Sequence, residues 1–288
     1  AAISTGLVDY VLPPERMPLE LINYVAHPHI VLDKLDKIDP NDDSLAKILR
    51  IIKRSTGIDF SLYKQETILR RINRKMYITK INDLDAYVEY LDNNPGEIKP
   101  LQKDLLIGVT KFFRDIKAFE YLETKIIPDI VEKANQKTGI KVWVAGCSTG
   151  EEAYSIAILI YDYIHNNNLN IPIKIFATDI DKEAVSKASI GIYSASIAAD
   201  IHKEYLSKYF IRQGENYQIS RNIRETIIFT THDITRDPPF HKLDLVVCRN
   251  MLIYFQTTLQ KRVFKLFSFA LKQNSYLFLG GSESADDM

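Results

Sequence analysis

Val142-Trp143-Val144-Ala145-Gly146-Cys147-Ser148-Thr149-Gly150-Glu151-Glu152 is the stretch on which the reading of this chain turns. Val142–Ala145 is continuously apolar with two β-branched valines, as in a strand buried on both faces. The turn after it carries glycines at 146 and 150, and a helix is predicted over 152–165. The alternation then repeats: strand 173–178, helix 182–189, strand 243–248, helix 258–271 and strand 276–279. Apolar strands separated by helices predict an α/β domain with a mostly parallel sheet covered on both faces. One interruption falls at about 209–231, where Tyr-Phe-Ile-Arg, Tyr-Gln-Ile-Ser and Thr-Ile-Ile-Phe-Thr-Thr read as a small antiparallel β insert.

Upstream, from Ser44 to about Asn135, apolar residues recur three and four apart in Leu45-Ile48-Leu49-Ile52, Ile68-Leu69-Ile72-Met76 and Leu84-Tyr87-Val88-Leu91. This predicts an all-α N-terminal domain of four or five helices. Ser44 is expected to cap the first helix, Gly57 to end it, and Asn93-Asn94-Pro95-Gly96 to break the third from the fourth.

The chain has 288 residues with 37 basic and 37 acidic side chains, hence no net field to gather nucleic acid or an anionic membrane. Its apolar runs fall short of the roughly 20 residues that span a bilayer. The two cysteines, Cys147 and Cys248, cannot form a zinc site by themselves and fit a reducing compartment, so no metal is expected and a cytoplasmic location is.

A strand running into Gly146-x-x-x-Gly150 and then a helix brings backbone close to a nucleotide-like ligand at the carboxyl edge of a sheet. A side chain at either glycine would occupy ligand space. Neither Gly-x-Gly-x-x-Gly nor a P-loop Lys-Ser/Thr is present, which disfavours pyrophosphate. Glu151 and Glu152 agree: they would repel a phosphate and attract a sulfonium or ammonium group. Asp179 closes the second strand, where an acid can accept both ribose hydroxyls.

Further segments carry a family resemblance. Gly108-Val109-Thr110-Lys111-Phe112-Phe113-Arg114-Asp115, Ala177-Thr178-Asp179-Ile180-Asp181 and Cys248-Arg249-Asn250-Met251-Leu252-Ile253-Tyr254-Phe255, together with the glycine turn, resemble the chemotaxis-receptor glutamate methyltransferases of the CheR family. The likeness covers about Ser44 to Ser284. It implies a Rossmann-like S-adenosylmethionine-dependent methyltransferase domain over 137–288, preceded by the helical domain over 44–136. It also implies cofactor contacts from Gly108, Thr110, Arg114, Gly146, Glu152, Asp179, Asp233, Ile234, Arg249 and Asn250. Many relatives have asparagine at 108, where glycine leaves only a backbone contact, and often at 233. Glu151 is left as a helix-start residue.

The implied reaction moves a methyl group to glutamate side chains on cytoplasmic helices of chemotaxis receptors, giving glutamyl methyl esters and S-adenosylhomocysteine. The alternative is a regulatory module that senses the cofactor without turnover. A carboxylate is ionised at neutral pH and needs no general base, so alignment carries the catalysis. Arg114 and Tyr254 are the residues expected to orient the reactants. Arg70, Arg71, Arg74 and Lys75, at i and i+4 on one helix over 62–80, offer a basic docking face for a glutamate-rich helix. The loop Gln213-Gly214-Glu215-Asn216 is short, so a receptor-tail tether on the insert is not expected.

Thr5-Gly6-Leu7-Val8-Asp9-Tyr10-Val11-Leu12-Pro13-Pro14-Glu15 resembles the end of the receptor methylesterase CheB. Residues 1–43 are therefore expected to be a methylesterase remnant and linker within a CheB–CheR fusion, without esterase activity. Ending at Met288, the sheet domain is expected to lack edge strands that relatives carry.

Overall fold

The computed structural model describes residues 13–18 and 43–285. Most of the segment 1–43, and with it most of the methylesterase-like stretch, lies outside the described residues. The chain divides into two compact units, Ala1–Ile107 with Tyr254–Gln256, and Gly108–Ile253 with Thr257–Met288.

The first unit is helical: α1 (Asp43–Thr56), a 3-10 turn at Phe60–Leu62, α2 (Gln65–Thr79), α3 (Leu84–Asn93) and α4 (Ile98–Leu105). The predicted apolar stripes are its core. Leu45, Ile48 and Ile52 of α1, Ile68, Ile72 and Met76 of α2, and Tyr87 and Leu91 of α3 are all buried. Gly57 ends α1 at φ 79°, its N–H donating to the Lys53 carbonyl at 2.9 Å. Ser44 is not the cap that was expected. It lies inside α1, buried, and donates its hydroxyl to Asp85 of α3 at 2.6 Å, because the helix begins one residue earlier at Asp43.

The same unit captures three residues from far along the chain. Lys64 N–H donates to the Tyr254 carbonyl at 2.8 Å and Gln256 N–H to the Leu62 carbonyl at 3.0 Å. The Gln256 amide reaches the Ser61 and Tyr63 carbonyls, each at 3.1 Å. Phe255 is buried with its ring edge-on to Tyr63.

The second unit opens with α5 (Ile116–Tyr121), a π-helical turn at Leu122–Ile126 and α6 (Ile127–Lys133). Pro128 in the first turn of α6 has no N–H to give four residues back, and the adjacent Ile127 N–H bonds five back, to Leu122. The division into compact units falls at 107/108, where 136/137 was expected. Phe112, Phe119, Leu122, Ile127, Ile130 and Val131 are buried in the same core as the sheet, so the segment belongs with it.

The main sheet is β1 (Ile140–Ala145), β2 (Ile173–Asp179), β6 (Ile227–Thr231), β7 (Leu243–Cys248) and β8 (Leu271–Leu279), all parallel, in the order β6-β2-β1-β7-β8. The strand order reverses between β1 and β7, and such a switch point opens a crevice at the strands' carboxyl ends. Helix α7 (Glu151–Asn166) is buried on nearly every side from Glu152 to Ile160, as a core helix must be. Helices α8 (Lys182–Ile190), α9 (Lys203–Tyr209), α10 (Arg221–Arg224) and α11 (Thr257–Ala270) complete the unit.

The insert is a sheet of β3 (Ile192–Ser194), β4 (Phe210–Gln213) and β5 (Asn216–Ile219), antiparallel in the order β3-β5-β4. Its composition corrects the sequence reading in one respect. The run 226–231 does not join it: residues 227–231 pair in parallel with β2 as the edge strand of the main sheet. An edge strand buries only part of its surface, and β6 has one buried residue among partly and fully exposed ones, so its pattern resembles that of a small exposed strand.

Candidate functional site

The turn after β1 crosses itself tightly, with Gly146 at φ 74°, Ser148 at 47° and Gly150 at 98°. The N–H groups of Gly146, Cys147, Ser148 and Gly150 are consumed locally. Gly146 and Cys147 N–H both donate to the Thr178 carbonyl at 2.8 and 2.9 Å, and Ser148 N–H to the Asp179 carboxylate at 2.8 Å. A phosphate cradle needs such N–H groups turned toward the ligand, and this turn has spent them on β2. The glycines themselves are required by protein packing. A Cβ at 146 would come within 2.8 Å of the Met251 sulfur, and one at 150 within 2.8 Å of the Ala188 Cβ. Close-packed neighbours plus positive φ are a reason for these glycines besides the expected exclusion of side chains from ligand space.

Asp179 also accepts the Asp181 N–H at 2.9 Å. Burial pushes its carboxyl above the usual range, against the pull of these two backbone donors. Burial likewise raises Glu151, whose carboxylate accepts the Thr149 hydroxyl at 2.7 Å at the start of α7. Burial drives Glu152 furthest, up to about 7, with Arg249 and Arg114 opposing and Glu283 adding to the rise.

Arg249 answers Glu152. Its guanidinium is almost wholly buried and donates to Glu152 at 3.1 Å, to the Arg114 carbonyl at 3.0 Å and to the Asp115 carboxylate. It also lies over the rings of Phe119 and Phe278, 5.3 and 4.7 Å from their centroids. The segment it grips is strained, since Phe113 and Asp115 both have positive φ, 48° and 65°, on either side of Arg114. Arg114 is half-buried and donates to the Val109 carbonyl at 3.3 Å. Gly108, exposed, gives its carbonyl to the Ser148 hydroxyl at 3.0 Å, and Thr110, two residues on, is half-buried.

Asp233 builds its own turn. It accepts Thr235 N–H at 2.9 Å, Thr235 hydroxyl at 2.6 Å and Arg236 Nε at 2.8 Å. Ile234 follows it, half-buried. Asn250 has φ 57°, and its amide oxygen and the Arg249 Nε are buried atoms with no hydrogen-bond partner among the described residues.

The second unit thus holds every expected cofactor residue, at the end of β2, in the first turn of α7, on the turns after β1, β6 and β7 and on the segment before α5. Tyr254 and the basic residues lie in the helical unit. Arg70 is exposed, Arg71 and Arg74 are half-buried, and Lys75 is paired with Asp104 at 2.9 Å. The Arg71 guanidinium is lowered in pKa, first by burial and then by Arg74 and Arg70, with Tyr254 and Asp104 opposing. Sequence reasoning missed Asp115, Met251, Gly280 and Glu283. The only signal for Glu283 is its place just after the last strand, in the turn Gly280-Gly281-Ser282-Glu283.

The parallel sheet, its switch point, the spent N–H groups and the acid-lined turns suit a cationic nucleoside rather than a pyrophosphate. Burial raises the carboxyls of Glu151, Glu152 and Asp179, a shift that a sulfonium or ammonium group would oppose by favouring their ionised forms, and the unpartnered Asn250 oxygen can accept from a donor. Fold and site together define a Rossmann-like S-adenosylmethionine-dependent methyltransferase. Residues 108–288 match the SAM binding domain of CheR methyltransferases, and residues 43–106 match their all-alpha domain. The chain belongs to the CheR methyltransferase family.

The chain is similar to an uncharacterized 104.1 kDa protein of Rhodobacter capsulatus, 35% identical over 307 residues, an alignment covering 99% of this chain and 32% of that protein. It therefore spans about a third of that relative's length. It is also similar to a chemotaxis protein methyltransferase of Borreliella burgdorferi, 30% identical over 86% of this chain and 90% of that one. A third relative, the chemotaxis protein methyltransferase of Listeria innocua, is 32% identical over 81% and 87%. Among the described residues no helix is long and apolar enough to cross a membrane, and no group of three or more His, Cys, Asp or Glu is placed to hold a metal ion.

Proposed function

We propose that this chain methylates glutamate side chains on the cytoplasmic helices of chemotaxis receptors. The observation that carries the reading is the company Tyr254 keeps. It is fastened to the helical unit at Lys64, the residue before α2, and α2 itself bears Arg70, Arg71, Arg74 and Lys75. A helix rich in glutamates is the complementary surface for that face.

S-adenosylmethionine supplies an electrophilic methyl group when bound. Arg114, Glu152, Asp179, Asp233 with Ile234, Arg249 with Asn250, Gly146 and the Gly108–Thr110 backbone are the residues assigned to hold it. Arg249 acts from beneath, tying Glu152 to the Arg114 segment. Arg114 orients a carboxylate through its fork of donors, and the Tyr254 hydroxyl donates one hydrogen bond that turns the attacking oxygen. A single neutral donor leaves the substrate carboxylate nucleophilic, where a close ion pair would stabilise it and slow attack.

A methylesterase segment before residue 43 and the rest of a fusion parent belong to the same reading, as does action in the cytoplasm, where the receptor helices lie. The test is transfer of labelled methyl from S-adenosylmethionine to receptor cytoplasmic fragments, with release of the label as methanol in mild base. Binding of S-adenosylhomocysteine without base-labile label would leave a cofactor-sensing module and defeat the enzyme reading.

A further inference from the structure

One carboxylate outside the assigned site organises the loop after β7. Glu283 Oε2 accepts the N–H groups of Asn250 and Gly280, each at 2.8 Å, and Oε1 accepts the Leu252 N–H at 2.8 Å. The side chain reaches this position because its own turn folds back, with Glu283 N–H donating to the Gly280 carbonyl at 3.0 Å. Gly280 permits the approach, since a Cβ there would lie 2.8 Å from Oε2 and 3.0 Å from Asn250 N and Nδ2.

Asn250 and Leu252 flank Met251, whose sulfur lies 2.8 Å from where a Cβ on Gly146 would be. Asn250 is in the left-handed region at φ 57°, which asparagine adopts more readily than most residues, and Glu283 accepts both its N–H and that of Leu252. The Asn250 amide oxygen is buried with no partner among the described residues. Glu283 thereby joins the end of β8, the end of β7 and the glycine turn after β1, which are the strands around the switch point.

We infer that Glu283 is a positioning residue of the cofactor pocket, fixing Asn250 and Met251 against the Gly146 turn without touching the cofactor. The inference rests on the placement of S-adenosylmethionine at that turn and on Asn250 as one of its contacts. In Glu283→Gln one oxygen becomes an amide donor facing backbone donors, so at least one of the three bonds is lost and the loop is released.

The experiment is calorimetric titration of the full chain and of Glu283→Gln, Asn250→Ala and the double variant with S-adenosylhomocysteine, beside thermal unfolding of each. Each single variant is expected to weaken binding about five- to twentyfold, and the double variant no more than the weaker single, because both act through one loop. The unfolding midpoint of Glu283→Gln should move by no more than about 4 °C. Unchanged affinity in Glu283→Gln, additive losses, an Asn250→Ala variant that binds normally, or failure of Glu283→Gln to fold would each overturn the inference. Failure of the unaltered chain to bind S-adenosylhomocysteine would instead overturn the cofactor placement and this inference with it.

Discussion

Glu152 makes binding of a cationic cofactor depend on pH in a way that can be worked out in advance. Burial raises its carboxyl to about 7 from 4.5, and the charged groups acting on it are Arg249 and Arg114, which favour ionisation, and Glu283, which opposes it. Asp115 shares the Arg249 guanidinium. For an acid whose native pKa is raised, the native state binds more protons than the unfolded state between the two values. The unliganded fold therefore loses stability as pH rises through the window from about 4.5 to 7, by about 3 kcal/mol in total.

Binding has the opposite sign, because a sulfonium or ammonium group favours the ionised carboxylate. With a pKa of about 7, roughly one carboxyl in ten is ionised at pH 6 and nine in ten at pH 8, so affinity should rise about ninefold across that range. At pH 7 binding should release about half a proton. Titration calorimetry with S-adenosylmethionine in buffers of different ionisation heat measures that release directly. Glu152→Gln should bind more weakly and lose the pH dependence, which separates its contribution from that of Asp179. Constant affinity from pH 6 to 8 with no proton released would refute the reasoning.

Gly150→Ala should destabilise the α/β unit by about 2–4 kcal/mol, from the strain of positive φ and the overlap with Ala188, measured as a lowered denaturant midpoint. Arg249→Met removes the partner of buried Glu152 and should cost about 3–5 kcal/mol by the same assay, whereas a residue that only touched cofactor would leave stability unchanged. Tyr254→Phe should lower kcat about 10- to 100-fold, the worth of one hydrogen bond to a carboxylate, with KM for S-adenosylmethionine unchanged in steady-state assays. Arg70→Glu with Arg74→Glu should weaken binding to receptor fragments about tenfold at low ionic strength, with the gap closing at high salt.

Periodicity alone located α1 to α3, the strand–turn–helix at Gly146 and the alternation that implies a parallel sheet, because these features come from burying one face or both along a continuous segment. Motifs with local chemistry, such as the acid at the end of β2, were legible for the same reason. Four matters were not. The run 227–231 reads as an exposed strand, and only pairing with β2 assigns it to the main sheet. The segment 108–136 reads as one more stretch of helices, and only the burial of Phe119 and Ile130 joins it to the sheet. Arg249 reads only as a cofactor contact, and its further pairing with Glu152, Asp115 and a backbone carbonyl, each over 90 residues away, comes from the fold. Glu283 and Tyr254 lie far in sequence from what they hold or join, and long-range contact is a property of the folded chain that no local pattern encodes. The sequence by itself determined the class of fold and the kind of ligand, through patterns a few residues long. The tertiary structure alone decided which charged groups are spent on the protein and which are left for the chemistry, because that depends on where burial removes water.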